Sequence, residues 1–170
     1  MTDRTTQPDN TVRLNKLVQA SPEQVYDTWL DVASYAKWFA PEPSVTCSEV
    51  TIDANVGGQM RVVMQSDSGT HTGIATFTEL VPGKRIAYTW GWLENPEMGA
   101  GSTVTLDFFE ADNPYGDGPA TEIILTHGGL NTPVERSEHT GGWWGCLKAL
   151  GYFVRGVDPR EVMYGQAAKA

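Results

Sequence analysis

Residues 139–153 run HTGGWWGCLKALGYF, and this stretch decides the fold. Trp143, Leu147, Leu150 and Val154 fall at i, i+4, i+7 and i+11, one apolar stripe of helical period. Upstream, Thr132, Pro133 and Glu135 supply an N-cap, a first-turn proline and the acid of a T-x-x-E capping box. A long helix is therefore expected from there to about residue 154. Gly141 and Gly142 sit inside it, and each costs roughly 1 kcal/mol relative to alanine in a helix interior. Close approach of the sheet or of a ligand to the helix backbone would offset that cost, and a kink is the other expectation. Trp143 and Trp144 are adjacent and so point about 100° apart. One is expected in the core and the other at the mouth of a cavity.

Strand-like segments precede this helix near 44–53, 59–65, 71–81, 84–93, 102–110 and 120–128. NVGG, SDSG, VPGK, NPEMGAG and DNPYGDG separate them, so the connections are short and an antiparallel meander follows. Alternation places Met60, Val62 and Met64 on one face. It does the same for Ile86, Tyr88, Trp90 and Trp92, for Val104, Leu106 and Phe108, and for Ile123, Leu125 and His127. Asp107 falls on the opposite, outer face. Nearer the N-terminus, TVRLNKLVQA reads as a first strand. Ser21, Pro22 and Gln24 then open a helix whose buried side is Val25, Trp29 and Leu30, and Asp31 caps a second short helix ended by the proline-rich PEP. The order of elements is α+β: one curved antiparallel sheet wrapped around a long C-terminal helix, with two short helices after the first strand. Residues 11–156 form the domain, 1–10 are expected to be a disordered tail, and 157–170 a C-terminal tail carrying Val162, Met163 and Tyr164.

The chain has 170 residues, a net charge of −9 and a pI near 4.7. That balance repels phosphate backbones and anionic membrane surfaces, so neither nucleic acid nor membrane is an expected partner. No apolar run is long enough to span a bilayer, and MTDRTTQPDN lacks the apolar core of a signal peptide, so a cytoplasmic location is expected. Two cysteines do not make a disulfide framework, and the three histidines and two cysteines lack zinc spacing. Phosphate-binding, dinucleotide-binding and nucleophile-elbow motifs are missing, so no metal and no cofactor are expected.

The segment ASPEQVYDTWLDVASYAKWFAP, with Ser21-Pro22, Val25, Asp31 and Trp38, resembles the opening of the family named for the activator of the heat-shock-protein-90 ATPase. Gly57-Gly58 at a strand start match further family positions, as do Gly73, Leu80, Pro82, Ile86, Tyr88 and Trp90. His139, Gly142, Trp143, Leu147 and Leu150 resemble its closing pattern, so the likeness covers residues 11–155 in one order. The resemblance implies the START-like, helix-grip fold, in which the C-terminal helix closes a cavity over the sheet. It is loose about activity: stand-alone members include small-molecule binders and proteins likened to polyketide cyclases. The namesake carries an additional N-terminal domain where this chain shows a short polar segment, so a chaperone partner is not expected.

On this footing the expected ligand is a small hydrophobic molecule, aromatic or lipid-like, held between sheet and helix. The sheet contributes Met60, Met64, Tyr88, Trp90, Trp92 and His127 to the expected wall. The helices contribute Trp38, Trp143, Trp144 and Leu147. If the protein is instead a cyclase or hydrolase acting on such a molecule, His127 and Tyr88 are the catalytic candidates. A third alternative is a protein-interaction domain, and homodimerisation is left open. His139 is expected to make a structural hydrogen bond, and His71 to face solvent near a hairpin tip.

Overall fold

Both expected N-caps form. The Ser21 hydroxyl accepts from the Gln24 amide at 3.2 Å, and the Thr132 hydroxyl from the Glu135 amide at 3.1 Å. They start helices α1 (Pro22–Trp29) and α3 (Pro133–Phe153) in a computed structural model that describes residues 10–39 and 42–163. Helix α2 (Val32–Trp38) lies between them, with Asp31 at its N-cap. The Asp31 carboxylate takes the Ser34 hydroxyl rather than a backbone amide.

The strands are β1 (Val12–Val18), β2 (Thr46–Ile52), β3 (Gln59–Ser66), β4 (Gly69–Val81), β5 (Arg85–Trp92), β6 (Ser102–Ala111) and β7 (Ala120–Gly128). They form one antiparallel sheet in the order β1-β7-β6-β5-β4-β3-β2. Strands β2 to β7 are the meander expected from their short connections. β1 is carried across by α1 and α2 to close the far edge beside β7. The register shifts at Cys47/Glu49 and Phe77/Glu79, as at β-bulges, bend their strands locally and add to the twist of the sheet.

One face of the sheet is the core. Met60, Val62, Phe77, Ile86, Tyr88, Val104, Leu106, Ile123 and Leu125 are buried there, with Trp29, Tyr35 and Trp38 from the short helices and Leu147 and Leu150 from α3. Asp107 sits on the outer face, where its carboxylate accepts from Arg85 Nε at 2.7 Å. α3 packs along β1 and beside α2. It runs unbroken through Gly141 and Gly142, so the glycines do not end it. No described helix is long and apolar enough to cross a membrane. After α3 the chain turns back: Arg160 donates to the main-chain oxygens of Glu42 and Val45, and Met163 packs on the core. The expected N-terminal tail, Asn10 apart, and Tyr164 onward lie outside the described residues.

Candidate functional site

The backbone of α3 comes against the sheet near its C-terminus. A Cβ on Gly151 would touch Lys16 Cε at 3.5 Å and Val18 Cγ1 at 3.6 Å, so there the helix backbone rests on β1. At Gly141, Gly142 and Gly145 an added Cβ would meet nothing within 4 Å. Close packing against the sheet, expected at Gly141 and Gly142, is therefore found at Gly151 instead. The three open glycines line a cavity of about 610 Å³ between α3, the β3–β5 part of the sheet and the segment after α2.

Trp90, Trp92, Trp143 and Phe39 make its aromatic wall, and Met64 and Met98 add thioethers. The rings are mutually inclined: Trp90 and Trp92 meet at 87° with centroids 5.3 Å apart, and Trp90 and Trp143 at 60° and 5.4 Å. Gly73 is what admits Trp90, because a Cβ there would lie 2.5 Å from the indole Cη2. Ser66, Ser68 and His71 stand at the mouth; both hydroxyls contact His71 Nε2, at 3.0 and 3.1 Å, which ties the β3–β4 hairpin together.

Two histidines fix the wall from behind. Trp143 Nε1 donates to His127 Nδ1 at 3.0 Å, which makes Nε2 the protonated nitrogen. His127 Nε2 then donates to Ser102 Oγ at 2.8 Å, and Ser102 donates to the Trp90 carbonyl at 3.2 Å. Trp92 Nε1 donates to His139 Nε2 at 3.1 Å, and His139 Nδ1 to the Glu135 carbonyl one turn back at 2.7 Å. Glu135 also accepts from the Gly99 amide at 2.7 Å, fastening the β5–β6 loop to the start of α3. Burial, and secondarily the neighbouring His139, push the His127 pKa down to about 3. Protonation would also break the Trp143 bond, so His127 is a neutral strut.

Of the residues expected at the wall, the structure brings Met64, Trp90, Trp92 and Trp143 to the cavity. Trp38, Met60 and Leu147 are fully buried in the core and do not line it. The two tryptophans divide otherwise than expected: Trp143, though buried, is the wall, and Trp144 is 41 % exposed and not a lining residue. Neither catalytic candidate reaches the cavity. His127 has no exposed surface, and Tyr88 is equally buried, its phenol held far above the ordinary value by burial, with the Trp29 side chain opposing. His139 makes the hydrogen bonds expected of it and also lines the cavity, as does exposed His71. Phe39, Met98, Gly145 and Cys146 are lining residues that sequence reasoning did not single out. Gly145 alone carried a usable signal, being one turn beyond Gly141 on a helix already marked by glycines.

The indole N–H of Trp90 is buried with no hydrogen-bond partner among the described residues. Its ring and those of Trp92 and Trp143 offer an apolar surface, and two of the three N–H groups are already bonded to histidines. No group of metal-binding side chains occurs among the described residues. The arrangement suits enclosure of an apolar molecule against flat rings and a bare helix backbone.

The sequence profile described as Activator of Hsp90 ATPase homolog 1-like protein matches residues 19–154. A search of the curated proteins found no match. Among solved structures, a protein from Chromobacterium violaceum is similar at 28% identity and a TM-score of 0.69, over 85% of this chain and 96% of its own. A relative from Aeromonas hydrophila, itself called AHSA1-like, aligns at 21% identity and a TM-score of 0.65, over 86% of this chain and 92% of that one. The Aha1 dimer from Colwellia psychrerythraea shares the fold at 20% identity and a TM-score of 0.61, over 83% and 92%. With the curved seven-stranded sheet and the long C-terminal helix, these matches show that the chain belongs to the Activator of Hsp90 ATPase homolog 1-like family, within the START-like superfamily.

Proposed function

We propose that this protein binds a small hydrophobic molecule, aromatic or lipid-like, in the cavity between β3–β5 and α3. One observation carries the reading. Gly141, Gly142 and Gly145 are open to a cavity rather than to protein, although glycine costs a helix interior roughly 1 kcal/mol relative to alanine. A helix that only had to pack would gain by carrying alanine there. The volume, about 610 Å³, falls within the range of small-molecule pockets. Cys47 and Cys146 form no disulfide among the described residues, which fits a reducing, cytoplasmic setting. Catalysis through His127 or Tyr88 is not part of the proposal, because neither touches the space a substrate would fill.

The test is a tryptophan-fluorescence titration with planar aromatic and lipid-like ligands. Trp90, Trp92 and Trp143 stand at the wall, so binding is expected to quench or shift emission saturably. Replacing Trp92 by alanine in a protein that still folds should abolish most of that response. A panel that gives no saturable change, or a response that survives Trp92→Ala intact, would overturn the reading.

A further inference from the structure

We propose that the cavity selects hydrophobic organic cations over neutral and anionic molecules of the same shape. The inference deepens the binding reading above and rests on it. An aromatic wall presents the negative faces of its rings, and a cation within about 6 Å of a ring centroid is attracted to them. The N–H donors of Trp92 and Trp143 are already taken by His139 and His127. What those two tryptophans offer a ligand is therefore ring surface, not hydrogen-bond donors.

The charged side chains at the cavity agree in sign. Glu42, Asp67 and Glu138 line it, and no lysine or arginine does among the described residues. They come from three different segments: the stretch after α2, the β3–β4 turn and α3. Arg160 binds the main-chain oxygens of Glu42 and Val45 and is not a lining residue. The lining part of α3 begins at Glu138, beyond its first turn, so no helix N-terminus supplies positive potential there. Basic side chains gather elsewhere: Lys16, Lys148 and Arg155 line a separate groove beside the C-terminal end of α3. A carboxylate-bearing ligand such as a fatty acid would face three like charges at the aromatic cavity, with no lysine or arginine among the described lining residues to pair with. A quaternary or protonated amine on an aromatic body would place its charge at the carboxylate rim and its rings against Trp90, Trp92 and Trp143.

Calorimetric titration of the full chain with three matched probes decides this. They are (2-naphthylmethyl)trimethylammonium, 2-naphthalenemethanol and naphthalene-2-acetate, counting only binding that Gly142→Leu, which adds a bulky side chain at a lining position, removes. The cation is expected to bind about tenfold tighter than the alcohol, and the carboxylate more weakly than either. Raising salt to 0.5 M should narrow the gap, because the rim carboxylates are exposed. The pair Asp67→Asn and Glu138→Gln should weaken the cation severalfold and leave the alcohol unchanged. If the alcohol or the carboxylate binds as tightly as the cation, the selectivity inference falls while the cavity reading stands. If none of the three binds, both fall.

Discussion

Replacing Gly142 and Gly145 by alanine separates what the helix needs from what the cavity needs. Neither site has a protein atom within 4 Å of the added Cβ, and neither has a positive φ, so the substitution meets no steric or backbone penalty. Helix propensity then acts alone: each change is worth about 0.8–1 kcal/mol, and the pair about 1.6–2 kcal/mol if the sites are independent. For a chain of this size 1 kcal/mol moves Tm by about 2–4 °C, so the double variant should melt about 3–8 °C higher. On the proposed reading the same methyl groups stand at lining positions of the ligand space, on either side of Trp143. Overfilling a fitted site typically costs about 1–3 kcal/mol, so affinity for a cavity ligand should fall by about fivefold to 150-fold. Stability is read by circular dichroism during thermal and urea unfolding, and affinity by titration calorimetry. A more stable protein with weaker binding is the expected pair of results. A destabilised double variant would show that the glycines serve packing, and stabilisation with unchanged affinity would show that the ligand lies elsewhere.

Three further outcomes follow from the same geometry. Gly73→Ala forces a Cβ to within 2.5 Å of Trp90 Cη2, so it should destabilise by about 1–3 kcal/mol and shift tryptophan emission as the ring moves. Leu147→Ala removes a fully buried core side chain that does not line the cavity. It should cost about 2–5 kcal/mol in urea unfolding yet leave ligand affinity within about twofold while the protein is folded. His127 is held at a pKa of about 3, below its ordinary 6.5, so only the unfolded state takes up its proton between those values. Its contribution to stability is whole above pH 6.5 and declines as pH falls toward 3, by about 1.4 kcal/mol per pH unit. Urea midpoints at pH 7.5, 5.5 and 4.5 should fall less steeply for His127→Gln than for the parent chain. Equal slopes would contradict the buried neutral imidazole.

The sheet was legible in the sequence because its determinants are local. Period-two rows such as Met60–Val62–Met64 and glycine- or proline-marked turns place each strand, and two capping boxes place the helices. The site was legible only in part. Alternation says which residues share a sheet face, but it does not say where along that face the helix lifts away. Trp90 and Tyr88 belong to one row on β5, yet Trp90 reaches the cavity and Tyr88, two residues earlier, lies fully buried, because the space opens only along the Trp90–Trp92 end of the strand. Trp143 and Trp144 show the same limit: one-residue spacing fixes their divergence, while the docking of α3 on β1 decides which of them faces inward. His127 looked catalytic because it is a titratable group in an apolar row. Its partners, Trp143 and Ser102, stand 16 and 25 residues away and have no sequence signature. Phe39 and Met98 lie on irregular segments, where no periodicity reports direction.

The central claim is that the bare glycine face of α3 is where a ligand lies. Nitrogen-edited NMR of the labelled protein during titration with a bound aromatic ligand tests it most directly. The account predicts that the amides of Gly141, Gly142 and Gly145 and the indole N–H signals of Trp92 and Trp143 shift together and saturate, while Gly151, packed on β1, stays in place. Shifts centred on Gly151 and the β1 side, with Gly141, Gly142 and Gly145 unmoved, would contradict it.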